Sequence, residues 1–136
     1  MSIQAHPRHF LFMLLKTIMT TQELLILAQA FIVLLALHFL GDFPMQGEFL
    51  AKGKNHLTNP PEVWITCLIA HCTIHAGLVL AVTGEIVLAG IVFVTHACID
   101  MLKCNGDLGE GPEAFAHDQI MHVVIVAVIA ALYVGM

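Results

Sequence analysis

Four pairs of residues able to ligate metal recur along the chain, each spaced four apart: His38 with Asp42, His71 with His75, His96 with Asp100, and Asp118 with His122. Residues at i and i+4 share one helix face, with Cβ atoms roughly 5–6 Å apart, so each helix can present two side chains to one ion. Four such helices would surround a site of five imidazoles and three carboxylates. Imidazole with carboxylate suits zinc, manganese, iron or nickel, not a soft-ligand copper site. Two ions roughly 3.5–4 Å apart can activate one water between them. Asp42, Asp100 and Asp118 are the candidates to bridge the ions or to act as bases. The expectation is up to two divalent transition-metal ions, zinc first and manganese or iron as alternatives, with all eight residues as ligands. A single pair of this kind is more simply an interhelical hydrogen bond. Four pairs together leave eight ionisable groups in need of counter-charge, and that favours metal.

The helices that carry these pairs must be apolar. Of the 136 residues, 59% are hydrophobic and 11% charged, with mean hydropathy +0.89. Soluble domains run nearer about 25% charged. The net charge of −5 offers no basic patch and excludes nucleic acid as the expected partner. Cys67, Cys72, Cys98 and Cys104 lie in or at the ends of apolar segments and form neither a secreted disulfide framework nor a C-x-x-C zinc signature.

Four spans are predicted, at about 22–43, 62–82, 86–103 and 113–134, each approaching the roughly 20 residues that cross a bilayer. Thr20 with Glu23 fits a capping box opening the first span. Gly41 and Pro44 mark its end, because proline cannot continue a helix. The polar stretch from Gln46 to Pro61 reads as a loop with one short helical turn from Gly47 to Lys52, and the glycines between Asn105 and Pro112 mark another loop. Residues 1–19 read as an interfacial or disordered extension: His6, Arg8, His9 and Lys16 flank an apolar run, but no small-residue cleavage site follows. The fold class expected is all-α, a transmembrane four-helix bundle over residues 20–136 with a metal site among the helices, plus the short extension.

Up-down alternation puts three of the pairs near the ends that carry the 43–61 and 103–113 loops. His71 lies about nine residues into its span, roughly 14 Å below that surface at 1.5 Å per residue, a depth that the other histidines share. Lys52, Lys54 and Lys103 lie on this side and Arg8 and Lys16 on the other, so the positive-inside rule leans towards a cytoplasmic site. Cys67 and Cys104 extend two of the ligand stripes, but small apolar packing is their simpler reading. Gln46 and Gln119 are candidates to orient a ligand or substrate. His56 and His117 read as rim residues.

The ordered set H-x-x-x-D-F-x-x-Q at residues 38–46, H-x-x-x-H at 71–75, H-x-x-x-D at 96–100 and D-Q-x-x-H at 118–122 resembles a family of small four-helix membrane proteins of bacteria and phages, classed as a domain of unknown function. The likeness covers about residues 20–136 and implies an integral protein of the bacterial inner membrane. The set is also distantly similar to membrane-bound metal-dependent hydrolases. The leading functional expectation is thus a di-metal hydrolase cutting a lipid-linked ester or phosphoester near the membrane surface. Its expected partners are the bilayer, a lipid-like or small-molecule substrate and, as homo-oligomer, a second copy of the chain. The competing readings are a transition-metal transporter or sensor, and a structural metal staple. A transporter needs access from both sides, whereas residues 24–35 and 123–132 carry almost nothing polar. A di-iron oxygenase would carry H-x-x-H-H clusters, which are absent.

Overall fold

A computed structural model describes residues 19–136. The expected N-terminal extension, apart from Met19, lies outside the described residues. Among the described residues there are five α-helices: α1 (Thr21–Leu40), α2 (Gly47–Gly53), α3 (Pro61–Thr83), α4 (Ile86–Asn105) and α5 (Gly111–Gly135). A π-helical turn, Gly41–Met45, continues α1 towards α2. Among the described residues, four stretches are long and apolar enough to cross a membrane: Thr21–Met45, Pro61–Thr83, Ile86–Asn105 and Gly111–Gly135. At 1.5 Å per residue they reach between about 30 and 37 Å.

The helix ends follow local chemistry. Thr20 and Glu23 form the predicted capping box: the Glu23 N–H donates to Thr20 Oγ1 at 3.2 Å, and the Thr20 N–H donates to Glu23 Oε2 at 2.7 Å. Gly84 (φ 71°) and Gly106 (φ 85°) end α3 and α4 in the left-handed region that glycine adopts without penalty. One expectation fails. Pro44 does not end the first span, because it lies inside the π-helical turn, where the chain stays helical although proline supplies no N–H. The third span also runs two residues past its expected end at Lys103, to Asn105.

Helix α3 packs on α1 and α4, α5 packs on α4 and α1, and the short α2 lies against α3. The long helices thus form a closed antiparallel ring. Its interior has two layers. Away from the 43–61 loop, Ala30, Leu34, Leu88, Val92, Ile129 and Ala130 make an apolar core, with Phe31, Val79, Ile125 and Tyr133 packed against it. Nearer that loop the interior is polar. The outward faces are apolar, with Leu25 60%, Ile32 63%, Val94 60% and Ile120 60% exposed. A bundle that turns leucine and isoleucine outwards and histidine inwards suits a hydrocarbon solvent rather than water.

Candidate metal centre

The polar layer gathers one pair from each long helix. His38, His71, His75, His96, Asp100, Asp118 and His122 are all at most 5% exposed, and the Asp42 side chain is 9% exposed. Burying this many polar groups is costly unless each finds a partner.

Six of the eight predicted ligands converge. The rings of His75 and His96 stack at 3.9 Å between centroids, His96 and His122 lie at 4.1 Å, His71 and His96 at 4.7 Å, and His38 and His122 at 5.0 Å. Asp42 is the hub. Its Oδ1 lies 3.1 Å from His75 Nε2, 3.4 Å from His71 Nε2 and 3.6 Å from His96 Nε2. Its Oδ2 lies 3.3 Å from His38 Nε2 and accepts from Gln119 Nε2 at 2.9 Å. The ligand atoms form two groups that could each hold a metal ion, Asp42 with His71, His75 and His96, and Asp42 with His38 and His122. One carboxylate is common to both.

The polar atoms themselves show that these residues fit a metal ion. Nε2 of His38, His75 and His122 are buried without a hydrogen bond among the described residues, and all belong to these two groups. His71 Nε2 and His96 Nε2 face each other at 2.9 Å, a contact in which only one of the two nitrogens can donate. In His122, Nδ1 takes the backbone carbonyl of Asp118 at 2.9 Å, which leaves Nε2 as the lone-pair atom facing inwards. Orienting a ligand imidazole by its other nitrogen is the usual support of a metal-binding histidine. The donor set of imidazole and carboxylate fits zinc, manganese or iron.

Asp100 and Asp118 stand differently from their sequence reading. The Lys54 ammonium donates to both oxygens of Asp100 at 2.7 Å and to Gln46 Oε1 at 3.1 Å. The Lys103 ammonium donates to Asp118 Oδ2 at 2.7 Å, and Gln119 Nε2 donates to the same oxygen at 3.2 Å. Two of the three carboxylates therefore have ammonium partners and need no ion for charge balance. Asp100 remains at the edge of the cluster, 3.6 Å from His71 Nε2. Sequence reasoning used Lys54 only for orientation, because its setting between Gly53 and Asn55 gives no periodic signal that it reaches Asp100. His117 and His56 lie off the cluster, His117 bonded to the Leu108 carbonyl and His56 against Trp64. Cys67 is buried where α2 meets α3, beside Gly53, a packing role.

Gly41 is the second residue whose role was hidden. A Cβ there would lie 2.6 Å from Cε1 and 2.8 Å from Nε2 of His75, so the bare backbone of α1 makes room for that ring. Gly41 has ordinary right-handed helical dihedrals. Alanine would therefore favour the helix by up to about 1 kcal/mol, while displacing His75. Gly41→Ala should keep full helicity by circular dichroism and weaken zinc binding by about 10–100-fold, the range for losing ligand orientation. Undiminished zinc affinity would show that the clearance is incidental.

Two cavities adjoin the cluster. One of about 30 Å³, room for about one water, lies between His38, His75, His96 and His122 and the apolar core at Leu34, Val92 and Ile129. The other, of about 390 Å³, lies on the side of the 43–61 loop, with Asp42 on its lining beside Lys54, Asp100, Lys103, Asp118 and Gln119. Asp42 thus faces the histidines and this vestibule together.

Among known proteins, the family model described as a protein of unknown function, DUF3307, matches residues 30–136, a stretch that holds all eight predicted ligands. No curated protein and no solved structure matches the chain.

Proposed function

The chain belongs to the DUF3307 family of proteins of unknown function, and we propose that it is a membrane-embedded, metal-dependent hydrolase that acts on a lipid-linked ester or phosphoester. The observation that carries this reading is the position of Asp42, shared by two groups of buried imidazoles and reached from a vestibule of about 390 Å³. His71, His75 and His96 would hold one ion and His38 and His122 a second, with Asp42 between them. A divalent ion there supplies a Lewis acid and a water acidified towards neutral pH. The protein's part is to aim the imidazoles, to close the far side with the apolar core, and to leave the vestibule open. Gln119 fixes the Asp42 carboxylate, and Lys54 and Lys103 neutralise Asp100 and Asp118 so that these do not compete for the ions.

The transport reading gains less support. Below the histidines the interior narrows to a cavity of about 30 Å³ and then to packed Leu34, Leu88, Ile129 and Ala130, which offers an ion no ligands towards the other surface. The structural-staple reading leaves the vestibule without a role.

Full-length protein in detergent, loaded with zinc, should hydrolyse a p-nitrophenyl ester or phosphodiester carrying an alkyl chain. His71→Ala, at a position with no solvent exposure, should lower the rate by more than about 100-fold, beyond the loss of an outer-sphere partner, with helicity retained. Zinc flux across liposomes without turnover of any such ester would replace this reading by transport.

A further inference from the structure

The vestibule and an adjoining groove suggest which lipid the site takes. Lys54 has its ammonium protons engaged by both oxygens of Asp100 and by Gln46. Lys103 is different. Among the described residues its only hydrogen-bond acceptor is Asp118 Oδ2, its ammonium stands 5.5 Å from the centroid of the Phe115 ring, and its side chain is 34% exposed. Two ammonium protons therefore remain to be offered into the vestibule, beside Asp42 and Gln119.

Charge gives the ligand its sign. Three carboxylates and two ammonium groups line the vestibule, leaving one negative charge. Two divalent ions in the histidine groups reverse this to an excess of positive charge in a poorly solvated layer, where an anion is strongly favoured. Immediately outside the vestibule, a groove of about 370 Å³ runs between α4 and α5, lined by Val94, Cys98, Ile99, Leu102, Ile120 and Val124 among others. The one hydroxyl there, on Thr95, is spent on the Ile91 carbonyl at 2.8 Å. Leu102 and Ile120 in the groove are chain neighbours of Lys103 and Gln119 in the vestibule, so the two spaces lie on either side of one helix seam.

We propose that the vestibule binds the phosphoryl headgroup of an anionic lipid, with Lys103 as its protein donor, and that the α4–α5 groove holds that lipid's acyl chain. This rests on the metal reading above, and it narrows the substrate to a phospholipid with an exposed phosphate. Lys103 discriminates because a terminal phosphomonoester offers it an open, charged acceptor, whereas the phosphate of phosphatidylcholine is esterified on both sides and offset by its own choline cation, and a neutral ester carries no charge.

The test uses the zinc-loaded full chain in maltoside micelles, with dioleoyl phosphatidate, dioleoyl phosphatidylcholine and inorganic phosphate as probes. Phosphatidate should bind at least about tenfold more tightly than either of the others, the effect of one well-placed charged hydrogen bond. Lys103→Gln made together with Asp118→Asn, so that no buried carboxylate is left without its ammonium, should erase most of that preference over phosphatidylcholine with zinc content nearly unchanged. Cys98→Trp, at an exposed groove position, should weaken phosphatidate and leave inorganic phosphate unaffected. Equal affinity for the two lipids in zinc-loaded protein overturns the headgroup assignment and leaves the metal reading standing. Inorganic phosphate binding as tightly as phosphatidate overturns the groove assignment and makes the ligand a soluble phosphate ester. Protein that takes up no zinc removes both readings.

Discussion

Asp42→Asn should strip the centre of most of its zinc, whereas Asp118→Asn should leave zinc content nearly unchanged. The two substitutions are chemically identical and both side chains are at most 9% exposed, so partners decide the difference. Asp42 has no ammonium partner among the described residues; its oxygens face His38, His71, His75 and His96. Removing its charge leaves each ion with neutral imidazoles alone, and both groups lose a ligand at once. We expect affinity to fall by more than about 100-fold, beyond the range set by losing an outer-sphere partner. Asp118 is paired with Lys103, which reaches solvent, so its amide variant strands little charge. Asp100→Asn is a poorer control, because it would leave the Lys54 ammonium, 10% exposed, unpaired in a poorly solvated layer. Competitive zinc titration of the purified variants measures all three. Equal losses at Asp42 and Asp118 would restore the three-carboxylate site read from the sequence.

The second large effect is on stability. Without an ion, the buried Nε2 atoms of His38, His75 and His122 have no hydrogen-bond partner among the described residues, and each such atom costs roughly 1–3 kcal/mol. An ion that binds only the folded bundle stabilises it by about 2.7 kcal/mol at a hundredfold excess over its dissociation constant. Removal of zinc with a chelator should therefore lower the melting temperature by on the order of 10 °C, and re-addition should restore it. His38→Ala with His122→Ala should blunt the response, since one of the two groups is gone. An unchanged melting curve after verified removal would mark the centre as dispensable to the fold.

Much of this centre is legible in the residues themselves. Spacing of four on apolar helices is enough to place His38, His71, His75, His96 and His122 in one layer, because helix rise and the alternation of antiparallel spans leave few other depths. The capping box at Thr20 and Glu23 is local chemistry and was equally readable. Asp100 and Asp118 were not separable from Asp42 by type or spacing. What separates them is the reach across the fold of Lys54, just past α2, and of Lys103, in the last turn of α4, and the partner of a long flexible side chain leaves no periodic trace. Gly41 and Pro44 carried a true signal with two meanings. They read as a helix stop, yet the chain uses the glycine to admit the His75 ring and runs helically through the proline in a π turn. Such turns inside helices are frequent at functional sites, and this one carries Asp42. Gln119 is readable as a candidate to orient a ligand or substrate; that the group it holds is Asp42, 77 residues away in sequence, is tertiary information.

The most direct measurement is anomalous diffraction at the zinc edge from crystals of the protein purified in the presence of zinc and without chelator. Two peaks are expected, each about 2.0–2.2 Å from its ligand atoms, one at His71, His75, His96 and Asp42 Oδ1 and the other at His38, His122 and Asp42 Oδ2. Crystals with no anomalous peak among these six side chains, or with peaks only at Asp100 and Asp118, would show that Asp42 is not the hub of a metal centre.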